Sequence, residues 1–176
     1  MACELLLQSL MSAFEMPRLL RLTMLAVVPC LFASCATQTG RIADKARHGR
    51  MQKVRTTSYT HNEGTGGRNA IGHRLSSGKL RSAASDWSRF PLGTRFRVLS
   101  TGDEYVIDDY GGALVGTDTI DLYTSSRRSM NHWGVRHENI EIQHWGSNEE
   151  SLKVLRPRGK IARVRRMIAS LERKQG

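Results

Sequence analysis

The sequence predicts a mainly β domain, a small barrel or sandwich, and three observations carry that prediction. Six short runs rich in β-branched and aromatic residues fall between Val54 and Gln143. Glycine-bearing turns separate most of them, as short antiparallel connections require. All three cysteines, Cys3, Cys30 and Cys35, lie ahead of residue 36, so no disulfide and no thiolate metal site can staple the chain beyond that point. The domain has to rest on an apolar core.

In chain order, residues 1–35 come first and read as an export signal: Arg18 and Arg21 are basic, residues 22–33 are apolar, and small residues close the segment. The apolar run is too short for a membrane-spanning helix. Leu31-Phe32-Ala33-Ser34-Cys35 resembles the lipobox of bacterial lipoproteins, which implies acylation of Cys35 and a lipid anchor at the periplasmic face of the outer membrane. Cleavage with release into the periplasm is the alternative. Glu4 and Glu15 do not suit the start of a signal, so Met16 is the expected first residue of the translated protein. Residues 36–52 are polar and basic and read as a linker, with a local helix conceivable over 42–51.

The barrel region is expected at 53–146. Strands are expected at 54–60, 81–84, 95–99, 104–108, 119–123 and 139–143, with positive-φ glycines in the turns at 63–67, 77–79, 101–103 and 111–112. A short inserted helix is expected over 126–133, opened by a hydroxyl cap and stopped by Gly134, closing one end of the barrel. The remaining 147–176 form a basic helical tail. Ser147 to Glu150 is a capping box for a helix that runs to Leu155 and stops at Pro157. A second helix from about Lys160 places Ile161, Val164, Ile168 and Leu171 on one apolar stripe, expected to pack on the barrel. A membrane-surface helix is the other reading of that stripe.

Charge is unevenly placed. The chain carries a net +11, but residues 56–150 hold ten Lys/Arg against twelve Asp/Glu, while 36–55 and 151–176 are strongly basic. A nucleic-acid reader carries its cationic surface on the folded module, so that class is excluded. Basic flanks fit anionic lipid headgroups or wall polymers better. His61, His73, His132, His137 and His144 show no paired-ligand spacing, so neither a metal nor another cofactor is expected.

Three acidic segments carry the chemistry: Ala84-Ser85-Asp86-Trp87 leading into Pro91-Leu92-Gly93-Thr94, then Asp109-Tyr110-Gly111-Gly112-Ala113-Leu114-Val115-Gly116, then Ile120-Asp121-Leu122-Tyr123. In this order they resemble the three-aspartate (3D) domain family, and Trp133-Gly134-Val135-Arg136 is similar to its closing segment. The resemblance spans about 54–145. It implies a six-stranded double-psi β-barrel, as in membrane-bound lytic transglycosylase A, and cleavage of the glycan strands of peptidoglycan. It also implies that Asp121 is the catalytic acid, with Asp109 and Asp86 supporting it. Four residues rather than three separate Gly116 from Asp121, so Asp118 competes for the role. Strand alternation favours Asp121, because Ile120 and Leu122 would face one side and Asp121 the other.

An acid that protonates a glycosidic oxygen near neutral pH needs its pKa raised by burial or like charge, which neighbouring carboxylates supply. In a lytic transglycosylase the C6 hydroxyl of N-acetylmuramic acid attacks its own anomeric carbon, so no second carboxylate has to position water. Asp121 would first donate and then accept a proton. Tyr59, Thr60, Tyr110, Gly111 and Gly112 are expected to line the groove, and Trp87 and Tyr110 to stack on sugar faces, whereas core packing is expected of Trp133. A non-catalytic peptidoglycan binder and an O-glycosyl hydrolase are the alternatives; a hydrolase would need a paired carboxylate.

Overall fold

The computed structural model describes residues 50–63 and 66–174, so the signal segment, Cys35 and most of the linker lie outside the described residues. The strands are β1 (Arg50–Tyr59), β2 (Leu80–Ala84), β3 (Arg95–Val98), β4 (Glu104–Asp109), β5 (Thr119–Tyr123) and β6 (Arg136–His144). They close into a mixed six-stranded barrel in the order β1-β5-β2-β4-β3-β6. β1 runs parallel to β5 and β2 parallel to β4, and the other pairs are antiparallel. β5 is thus inserted between β1 and β2, and β4 between β2 and β3, the paired insertions of the expected double-psi barrel. Parallel neighbours cannot be joined by a tight hairpin. Thr57, Tyr59, Asp109 and Asp121 lie on β1, β4 and β5, while Asp86 and Tyr110 lie in the connections that follow β2 and β4.

Alternation along the strands fills the interior. Val54, Ala83, Phe96, Val98, Ile107, Ile120, Leu122, Ile140 and Ile142 are buried in one core. β1 begins at Arg50, earlier than the expected strand start at 54, because β6 is longer than its apolar centre and pairs with β1 from Arg50↔Ile142 to Thr56↔Arg136. Ladder hydrogen bonds therefore extend Arg50 and Met51, where a local helix was conceivable; an isolated polar helix has no such partners.

The helices are α1 (Arg127–Trp133), α2 (Asn148–Leu155) and α3 (Ala162–Arg173). Ser126 caps α1 by accepting from the Ser129 amide, and Gly134 ends it at φ +62°. Ser147 caps α2 by accepting from the Glu150 amide, and Pro157 falls in the 3-10 turn Arg156–Arg158 beyond it. Leu152, Leu155, Val164, Met167 and Leu171 join Trp87 and Phe90 in the barrel's own core. The buried stripe of α3 is Val164, Met167 and Leu171, not the set that starts at Ile161. Ile161 is the extended residue before the helix and is 55% exposed, so the helix begins one step late for it to share the face.

Candidate functional site

β2 lies between β5 and β4, and Ala84 is paired with Asp121 on one side and Asp109 on the other. Strands stand about 4.8 Å apart, so the two aspartates flank one alanine with Cα atoms about 10 Å apart. On β5 the alternation sends Ile120 and Leu122 into the core and leaves Asp121 half-buried on the outer face. β4 reaches the same patch through a bulge: Ala83 pairs with Ile107 but Ala84 with Asp109, leaving Asp108 as the extra residue. Beneath the carboxylates, Tyr59, Ala84, Leu114 and Tyr123 form a small apolar cluster apart from the main core. The Tyr59 and Tyr123 rings meet edge-on at 5.5 Å.

Hydrogen bonds divide the carboxylates into different kinds. Asp121 accepts from the Thr57 hydroxyl through Oδ1 at 2.6 Å, and its other oxygen has no hydrogen bond among the described residues. Burial pushes the Asp121 pKa up; the Glu63 carboxylate adds to this, while the Thr57 bond and Arg55 oppose it. Asp109 has both oxygens engaged, Oδ1 by the Tyr110 amide at 2.9 Å and Oδ2 by the Tyr59 hydroxyl at 3.4 Å. Burial raises its carboxyl to about 6, with the Asp108 charge adding to the effect. Burial, then the charges of Asp109, Asp108 and Asp121, push the Tyr59 phenol up, so it stays a donor. Asp108 accepts from Asn69 at 2.8 Å and Ser82 at 2.7 Å, and burial raises its carboxyl too.

Asp86 sits elsewhere in the network. It is buried in the turn after β2, where one oxygen accepts from the Ser88 amide at 2.8 Å and the other from the Gly116 amide at 2.7 Å. That second bond pins the turn leading into β5. Asp118 lies in the same turn but points outward, exposed and paired with Arg89, so the longer spacing is absorbed there. Asp121 keeps its register with Thr57 and Ala84 regardless.

A cleft of about 150 Å³ opens beside Asp109, lined by Tyr59, Thr60, His61, Glu63, Leu75 and Tyr110 among others. Trp87 is not on it. It is fully buried, donates from Nε1 to the Asp109 carbonyl at 2.8 Å and meets Tyr110 edge-on, so it cannot stack on a sugar. Trp133 is partly buried and packs against the main core, as expected, and it also lines a separate cavity at the barrel mouth. Gly111 and Gly112 do not adopt the positive φ expected of them. A Cβ on Gly112 would lie 3.0 Å from the Arg163 guanidinium and one on Gly111 3.0 Å from Leu114, so a side chain at either position would oblige those neighbours to shift.

Sequence reading missed Thr57, Glu63 and Asp108. Thr57 was accessible, since period two puts it on one face of β1 with Tyr59. Asp108 was not, because alternation sends neighbours to opposite faces and no residue signals the bulge.

No curated protein matches the chain. The family model for the 3D domain matches residues 81–146, which takes in β2 through β6 and leaves β1 and the C-terminal helices outside the match. Such domains are found in lytic transglycosylases of the membrane-bound A type and in other cell-wall proteins; they imply a cell-envelope protein and suggest a link to the cell wall or peptidoglycan. Residues 81–146 of this chain are a 3D domain.

Proposed function

We propose that the protein cleaves the N-acetylmuramic acid to N-acetylglucosamine linkage of peptidoglycan as a lytic transglycosylase, with Asp121 as general acid and then base. The observation that carries this reading is the state of Asp121: half-buried, raised in pKa, and with one oxygen uncommitted. A proton donor needs a free oxygen aimed at its substrate, and Asp109, with both oxygens engaged, lacks one. Asp109 and Tyr59 instead flank the reacting centre as a hydrogen-bonded pair, in which the phenol donates to a carboxyl raised to about 6. Asp86 acts at a distance by holding the Gly116 turn that sets β5. Asp121 protonates the leaving oxygen; its carboxylate then takes the proton from the C6 hydroxyl as that oxygen bonds to the anomeric carbon, leaving a 1,6-anhydro end. Tyr110, Gly111 and Gly112 serve as the wall along which the glycan lies.

Acylation of Cys35 would tether this site to the membrane. The test is incubation of the mature protein with purified sacculi and mass spectrometry of the released fragments. Anhydro-muropeptides that disappear in Asp121→Asn support the proposal. Reducing ends in their place would make the protein a hydrolase, and binding to sacculi without any soluble product would make it a binding module.

A further inference from the structure

A second cavity, about 580 Å³, opens at a mouth of the barrel, where the C-terminal ends of β1 and β5 meet the N-terminal ends of β2 and β4 beneath α1. Its charged lining is Arg81, Arg128 and Arg136 against the single carboxylate of Asp103. Arg81 takes that carboxylate at 3.0 Å. Arg136 donates to the carbonyls of Trp133 and His132, both at 2.8 Å, lies 4.4 Å from the Trp133 ring centre, and forms no ion pair among the described residues. Arg128 is exposed on α1 and forms no ion pair among the described residues.

Two guanidinium groups without counter-charge at the rim of one cavity select for oxyanions, which the planar arginine fork matches in geometry. The size selects further. A bare inorganic anion would leave most of this volume empty, whereas pockets of this class enclose small organic ligands. Tyr105, Trp133 and several hydroxyls complete a lining suited to a chain of amides that ends in carboxylates. Tyr123 lines the mouth and also packs on Tyr59, whose hydroxyl reaches Asp109, so the mouth adjoins the acidic patch.

We propose that the barrel mouth is a second binding site, for the free carboxylates of the short acidic peptides that hang from peptidoglycan glycan strands. The inference rests on the glycan-cleaving role proposed for Asp121 and adds to it the part of the substrate that the acidic patch cannot hold. A strand lying across Asp121 would place its peptide over the rim at Tyr123.

The test uses the mature chain carrying Asp121→Asn, which removes turnover, and calorimetric titration with the free tripeptide L-alanyl-γ-D-glutamyl-diaminopimelate. Its carboxamide analogue and inorganic phosphate are the comparison ligands. The tripeptide should bind, the carboxamide should not, and adding Arg128→Glu should weaken binding by about tenfold or more. Arg136→Lys, which keeps charge but loses the fork, should weaken it as well. Absence of tripeptide binding, equal binding of the carboxamide, indifference to Arg128→Glu, or phosphate binding as tightly as the tripeptide would each overturn the assignment. Anhydro products from the wild type without tripeptide binding would remove the mouth site and leave the cleavage standing; binding without products would do the reverse.

Discussion

Asp109 holds its proton to about pH 6 because burial penalises its carboxylate more than the Tyr110 amide and the Tyr59 hydroxyl stabilise it. The folded pKa lies above the unfolded one, so the stabilisation from this group is complete at about pH 4 and is lost as pH rises through about 6. The side chain is not fully enclosed, and after allowance for screening the effect is on the order of 1–2 kcal/mol. Asn keeps one acceptor for the Tyr110 amide, its NH2 can donate to the Tyr59 hydroxyl oxygen, and it needs no proton. Asp109→Asn should therefore be more stable than wild type by that amount at pH 7.5 and equal to it at pH 4, as read by urea denaturation; an equal gap at both pH values would contradict the assignment. Asp86 predicts the opposite kind of effect. Its two oxygens serve two amides, and an asparagine offers only one acceptor, so Asp86→Asn should cost about 1–3 kcal/mol in the same assay. A loss below about 0.5 kcal/mol would mean that the Gly116 turn does not depend on this bond. At this scale the sequence motif located the aspartates well but could not sort them, since sorting depends on which oxygens find donors. Trp87 misled for a related reason: its neighbours in sequence say nothing of the Asp109 carbonyl that holds it inside.

Among the elements, strands and caps were the most legible parts. Ser126, Gly134 and Ser147 mark helix ends by local chemistry, and the structure places caps at those residues. The phase of α3 was less so, because Ile161 and Met167 are both apolar and only the true start of the helix decides which one shares a face with Val164 and Leu171. Met167 is fully buried while Ile161 is 55% exposed. Met167→Ala should accordingly cost about 2–5 kcal/mol and Ile161→Ala under about 0.5 kcal/mol, measured by chemical denaturation. A reversal of that order would restore the stripe read from the sequence. The bulge in β4 is the element-level feature no pattern revealed. It sets two acidic residues against one alanine and so contributes to the raised Asp109 carboxyl through the Asp108 charge.

For the whole molecule, the question is where the folding unit ends. The family match stops at Gly146, and a barrel of six paired strands is closed by then. Yet Leu152, Leu155, Val164, Met167 and Leu171 are buried in the core that holds Trp87, Phe90 and Phe96. Ser151 of α2 accepts from the Leu92 amide at 2.9 Å, the Ser147 amide donates to the Leu92 carbonyl at 3.0 Å, and Arg158 donates to the Ala70 carbonyl at 2.7 Å. Burial of each large apolar side chain is worth about 1.5–3 kcal/mol, so the five together contribute about 8–15 kcal/mol. That equals the whole net stability of an ordinary domain, about 5–15 kcal/mol. No disulfide is available to the region after Cys35 to offset the loss. A chain ending at residue 146 should therefore lose its cooperative urea transition and its dispersed amide spectrum, while one ending at residue 174 should keep both. A folded barrel from the shorter chain would show that the helices cover the core without sustaining it.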